Sequence, residues 1–249
     1  RMIFASSLPI VSAHAIEVVG GLSHVAGDPS GLQFAGGSTV TIHSWGTFPF
    51  SSMKSMFRSC DVKILCDESP VFAPDCSLMG MFHGCRRFNQ GLRWDTSNVS
   101  SMKFMFYGCR SFNQNLLWNV SNVIDMDCMF ADCGSFDQDL SHWDTSKVTD
   151  MSHMFLCCRS FNQNLCWDTS KVTNMRFMFY GCKSFNQNLQ WDTSMVTNMN
   201  TMFSCCVSLN QLLVWDVSKV TDMSFMFFNC GSSAIIPLEI QRSLVIFDG

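Results

Sequence analysis

Charge is what this sequence has least of. Only 14% of its 249 residues are Asp, Glu, Lys or Arg, where a soluble domain carries roughly 25%. The formal net charge is −4, and no block of Lys and Arg occurs, so a phosphate backbone would find no electrostatic footprint and no nucleic-acid partner is expected. Proline is scarce, at 6 positions, and no acidic tail, polar tract or Pro/Gly linker divides the chain. One folded unit is expected. Also missing are a phosphate loop, a dinucleotide glycine fingerprint, HExxH and GxSxG. No C-x-x-C knuckle exists to seed a tetrahedral thiolate site. The histidines at 14, 24, 43, 83, 142 and 153 do not cluster in sequence. His83, His142 and His153 fill slots that other repeats give to Tyr, Arg or Phe, as solvent-facing positions do. The sequence therefore assigns no catalytic residue, no cofactor and no metal ligand, and an enzyme is not expected.

Nor is any apolar run long enough to span a membrane. The longest, MIFASSLPIVSAHA, falls short of the ~18 residues a spanning helix needs. Two readings of it stand. An arginine, a short apolar run and Ala13-His14-Ala15 together read as the tail of a secretory or lumenal targeting signal, and a chain that opens on Arg rather than Met suggests a segment removed upstream. Alternatively the run is a strand covering the open end of the first repeat.

What the chain does have is repetition. Met-Phe pairs end at Phe57, Phe82, Phe106, Phe130, Phe155, Phe179, Phe203 and Phe227, and three residues after each stands a cysteine: Cys60, Cys85, Cys109, Cys133, Cys158, Cys182, Cys206 and Cys230. The intervals are 24 or 25 residues. A second large apolar residue follows in six units (Phe88, Phe112, Phe136, Phe161, Phe185, Leu209), then a leucine, then Trp94, Trp118, Trp143, Trp167, Trp191 or Trp215. Trp45 fills that slot ahead of the first unit. The array is therefore placed at 45–230 in about eight units, with the segment 61–77 reading as an irregular turn, residues 1–44 as an N-terminal segment and cap, and residues 231–249 as a C-terminal cap.

Within a unit, Val172, Met175, Met178, Phe179 and Cys182 follow one face of a helix. Asp168-Thr169-Ser170 stands ahead of them, where such residues accept hydrogen bonds from a helix's first N–H groups. SFNQNLQW reads as a short strand. Each copy cannot bury its apolar side alone, but stacked copies make one core. The recurrent Phe, Met, Leu, Trp and Cys then fill the same hole at every level, and the Asn-Gln pairs extend hydrogen bonds along the stack. The fold class expected is an α/β repeat of short strands and short helices with non-repeat caps at both ends.

The phrase FNQNLQWDTSMVTNM…MF resembles the repeat of BspA-type bacterial surface proteins, a branch of the leucine-rich repeat superfamily with units of about 25 residues. The resemblance covers some three quarters of the chain. It implies a right-handed leucine-rich-repeat-like solenoid, secreted or surface-displayed, that binds other proteins, and it implies no catalytic residues. The commoner bacterial version has alanine or another small residue where the eight cysteines stand, a departure that adds an organelle lumen to the expected compartments.

Fourteen cysteines are present. The eight of the ladder read as small buried hydrophobes. Of the other six (Cys66, Cys76, Cys128, Cys157, Cys166, Cys205), Cys66 and Cys76 share the irregular stretch and are the one pair placed for a disulfide. Asn98-Val99-Ser100 and Asn119-Val120-Ser121 match the glycosylation sequon, a match that the repeat generates by itself.

Some slots vary between copies. Two before the Phe of Met-Phe stand Phe104, Cys128, His153, Phe177, Thr201 and Phe225; just after it stand Tyr107, Ala131, Leu156, Tyr180, Ser204 and Phe228. Aromatic residues there form an apolar stripe suited to a partner, beside a basic line of Arg110, Arg159 and Lys183, or else they pack between neighbouring units. The function expected is a non-enzymatic protein–protein interaction scaffold, secreted, surface-displayed or lumenal. A second reading is a permanent accessory subunit of a larger, membrane-bound assembly such as an algal organelle complex, with membrane contact through the complex or the apolar N-terminus. A third, an enzyme with its site in the non-repeat ends, has no motif to support it.

Overall fold

Tight turns, not helices, shape each repeat. The structure, a computed structural model, describes residues 31–47 and 49–231 together with the backbone of three short strands nearer the N-terminus. Among the described residues no α-helix forms, and the strands are few and short. The expected α/β repeat, a leucine-rich-repeat-like solenoid of strands and short helices, is therefore overturned.

The cause lies in the backbone around Met-Phe. Phe104, Cys128, His153, Phe177, Thr201 and Phe225 all have φ between 54° and 58°, and four residues after each comes a second left-handed residue: Gly108, Asp132, Cys157, Gly181, Cys205 and Asn229. A left-handed residue reverses the peptide orientation and stops a helix. The N–H groups consequently alternate in direction. In the unit of Phe179, those of Met178, Tyr180 and Cys182 close tight turns on Met175, Phe177 and Phe179, while those of Met175, Phe177, Phe179 and Gly181 reach the carbonyls of Asn198, Asn200, Met202 and Ser204 in the next unit, at 2.8–2.9 Å. In this stretch three backbone donors hold the unit's shape and four join it to its neighbour.

Parallel bridges mark the same register along the chain, Ser101 to Asp125, Asp150, Asn174, Asn198 and Asp222 in turn. They fall where the helix was expected to begin. The segment expected to be a strand, SFNQNLQW, forms none, though Leu189, Trp191 and Thr193 point inward and Gln190 and Asp192 outward, as the alternation implied. Asp168 does accept the N–H of Ser170, at 3.0 Å; the cap chemistry is right, but it closes a turn of the kind Asp favours, and no helix follows.

Side chains repeat on this frame as ladders. Phe57, Phe82, Phe106, Phe130, Phe155, Phe179, Phe203 and Phe227 stack with ring centroids 5.4–5.7 Å apart. Phe88 to Phe185 form a second column at 5.9–6.2 Å. The tryptophans form a third, and the indole N–H groups of Trp118, Trp143, Trp167, Trp191 and Trp215 each donate to a leucine carbonyl of the unit before, as Trp191 does to Leu165 at 2.9 Å. The Asn-Gln pairs extend bonds along the stack as expected: Asn162 Oδ1 accepts from the backbone of Asn186 at 2.8 Å and from Gln187 Nε2 at 3.0 Å.

The N-terminal end adds short strands. β1 (Met2–Ile3) pairs antiparallel with β2 (Ala15–Val19), and β2 with β5 (Thr39–Ser44), which runs parallel to β7 (Asp61–Ile64). β3 (Leu22–His24) pairs with β4 (Gln33–Phe34). β6 (Phe50–Ser52), β8 (Phe72–Ser77) and β9 (Val99–Ser101) form a parallel trio. Residues 61–77 are thus not simply an irregular turn: they carry β7, paired with β5 of the preceding unit, and β8, paired with β6 and β9. Phe34, inside the segment expected to be a cap, stacks on Phe57 at 5.6 Å and 2°, so the central phenylalanine column begins before residue 45. The expected C-terminal cap at 231–249, apart from Gly231, and most of the apolar segment 2–15 lie outside the described residues.

Candidate functional site

The two variable slots line one edge of the stack, because each sits at a turn next to the buried Met-Phe pair. They form separate aromatic pairs: Phe104 with Tyr107, centroids 6.1 Å apart, Phe177 with Tyr180 at 5.8 Å, and Phe225 with Phe228 at 6.0 Å. The smaller residues of intervening units separate these pairs, so the aromatic line is interrupted. Phe104, Tyr107, Leu156, Phe177 and Tyr180 are half-buried, and Phe225 and Phe228 are more than half exposed. Histidines extend two of the pairs to the previous unit: His83 stacks on Tyr107 at 4.7 Å and His153 on Phe177 at 5.3 Å. Cations lie beside the rings, Lys103 at 5.2 Å from Phe104 and Arg176 at 5.4 Å from Phe177.

Of the basic line, Arg110 is held by Asp132 of the next unit through Nε and Nη2, at 3.0 and 2.9 Å. Arg159 and Lys183 are exposed. Cys66 and Cys76 are free thiols rather than a disulfide; Cys76 is buried in the core, paired in strand register opposite Val99, while Cys66 is only partly buried.

Three consecutive units also meet at a polar cluster that sequence reasoning missed. Asp127, with its side chain 11% exposed, is central. Its Oδ1 accepts from Cys128 Sγ at 3.2 Å and Ser152 Oγ at 3.0 Å, and lies 3.1 Å from Nδ1 of His153. Its Oδ2 holds Lys103 Nζ at 2.8 Å. Burial by itself would raise the Asp127 carboxyl, but hydrogen bonds from His153, Lys103 and Cys128 and the Lys103 charge outweigh it and hold the group below the usual carboxylate range. Burial, then the hydrogen bond to Asp127 and its charge, push the Cys128 thiol far above its ordinary value. The signal lay in the alignment of repeats: Lys103, Asp127 and Ser152 share one slot, and Phe104, Cys128 and His153 the next. Asp127, Cys128 and His153 form the one group of metal-ligating side chains found among the described residues, their donor atoms all within 4.8 Å of one another.

Stacked units joined by parallel bridges, with identical residues at each level, define a tandem-repeat protein. The chain belongs to the family described as "Mycoplasma protein of unknown function, DUF285", whose model matches residues 76–166 and 165–234, more than half of its length. No curated protein and no solved structure matches it.

Proposed function

We propose that the chain is a non-enzymatic protein-binding scaffold, displayed at a cell surface or in a lumen, and that it is kin to the BspA-type surface repeats its sequence resembles. One contrast supports this reading. The slots that build the ladders hold nearly the same residue at every level because stacking requires it. The edge slots do not: Phe177 and Tyr180 stand where the next unit has Thr201 and Ser204 with the same backbone φ at the first of them. The aromatic choices are thus free of the backbone, and rigid aromatic pairs flanked by cations suit a protein partner.

The test uses a partner recovered from the native source and then purified. Phe177→Ser with Tyr180→Ser should weaken its binding at least tenfold, about 1.4 kcal/mol, with a melting temperature close to the parent's. A large melting loss with binding unaltered would contradict the interface.

A second reading, a permanent subunit of a larger assembly, draws on another face. Leu117 and Val214, in the slot before tryptophan, are 78% and 79% exposed. An isolated chain that stays monomeric at high concentration would count against this reading.

A further inference from the structure

The cluster around Asp127 is not required by the stack. Its two slots hold Arg176 and Phe177 one unit on, and Asn200 and Thr201 beyond that, with the same left-handed turn. Among the described residues, a carboxylate, a thiol and an imidazole converge only in the units of Phe130 and Phe155, where they meet at one point.

We propose that Asp127, Cys128 and His153 form a three-ligand site for a divalent cation of borderline softness, zinc above all, with a fourth coordination position open to solvent. The donor set selects the metal: one thiolate, one imidazole and one carboxylate suit zinc, whereas magnesium and calcium take oxygen. The geometry fits. Around a tetrahedral zinc, with bonds of about 2.0–2.3 Å, neighbouring ligand atoms stand roughly 3.3–3.7 Å apart. Here Cys128 Sγ and His153 Nδ1 lie 3.2 and 3.1 Å from the same Asp127 oxygen, so small side-chain shifts admit the ion. Asp127 Oδ2 is occupied by Lys103, which turns Oδ1 toward the other ligands, as outer-shell partners of metal-bound carboxylates do. Access is from the rim, where the His153 side chain is 24% exposed and that of Lys103 28%.

Binding replaces the hydrogen bonds to Oδ1 with bonds to the metal. The Cys128 S–H bond ionises and its proton passes to solvent; His153 likewise gives up to solvent the Nδ1 proton that bonds to Asp127, its Nε2 carrying the ring N–H, and binds through the Nδ1 lone pair so freed. No electron changes hands. The two negative ligands balance the two positive charges of the ion.

The test is titration of the full, chelator-treated chain with zinc, and with cobalt as a spectroscopic substitute. One equivalent should bind, and cobalt should give the intense absorption of a tetrahedral site with a thiolate-to-metal band. Cys128→Ser should remove that band and weaken zinc binding at least tenfold, and Asp127→Asn should weaken it as well, while Cys166→Ser, at an exposed cysteine, should change neither. The cobalt spectrum of the unaltered chain serves even if Asp127→Asn fails to fold. Absence of saturable binding, a cobalt spectrum without a thiolate band, or zinc affinity unchanged by Cys128→Ser would each overturn the site and leave the cluster as a hydrogen-bonded network around a buried aspartate.

Discussion

The thiol of Cys182 donates to the carbonyl oxygen of Phe155 in the preceding unit, 3.0 Å away. That oxygen already accepts the backbone N–H of Cys158 at 2.9 Å, so the thiol occupies its second lone pair. The same bond recurs at Cys85, Cys109, Cys133, Cys158, Cys206 and Cys230. Cysteine thus fills a small buried hole and satisfies a carbonyl that alanine would leave with one partner. Alkylation of the folded chain followed by mass spectrometry should modify the exposed Cys166 and spare Cys133, Cys158 and Cys182, which become reactive only on denaturation. Equal labelling of both sets would contradict the buried ladder.

Burial raises the ladder thiols Cys60 and Cys85 and, outside the ladder, Cys76, and the sign of the consequence is fixed. From an ordinary value of 9.0, Cys60 and Cys76 are pushed up to about 11 and Cys85 to about 12, desolvation being the main cause in each. The folded form holds its protons where the unfolded chain has begun to lose them. Their contribution to stability is full below about pH 9 and disappears as pH rises through 11–12. Denaturant midpoints measured from pH 8 to pH 11.5 should fall steadily; a flat profile would refute the linkage.

Phe179 touches four rings, Phe155, Phe185, Phe203 and Trp191, and is fully buried. Phe179→Ala should cost about 3–5 kcal/mol, and Lys183→Ala, at an exposed position, should stay within about 0.5. Chemical denaturation of both variants checks the assignment, which similar losses would defeat.

Left-handed residues give a backbone prediction of opposite signs. Ser59 has φ 58°, which costs a non-glycine residue roughly 1 kcal/mol; Ser59→Gly should recover about that much. Gly84, at φ 75°, would bring an added Cβ to 2.8 Å from the Ser59 hydroxyl. Gly84→Ala should therefore destabilise. Melting temperatures moving in the same direction would rule this out.

The period, the buried slots, the Asn-Gln ladder and the burial of the ladder cysteines were legible because each follows from stacking like on like. The helix was misread for a physical reason. Val172, Met175, Met178 and Cys182 recur at intervals of three and four, and tandem turns closed by bonds between residues three apart give the same inward spacing as a helix. The contrary signal was in the flanking slots, where Gly80 and Gly84, Ser55 and Ser59, and Asp132 and Asn229 are turn formers spaced four apart or standing in the same slots. The Asp127 cluster was hidden because its ligands come from two units, 26 residues apart at Asp127 and His153, whereas metal motifs are sought within one short segment.

Removing residues 174–197 takes out one complete level and joins Thr173 to Asn198, so that Asp150 would bridge to Asn198 in the register it now shares with Asn174. Circular dichroism and cooperative melting of this variant, beside one lacking only residues 174–185, test the stacked unit directly. The 24-residue deletion should give a shorter chain that melts cooperatively, and the 12-residue deletion should not fold. Equal unfolding in both would contradict the account.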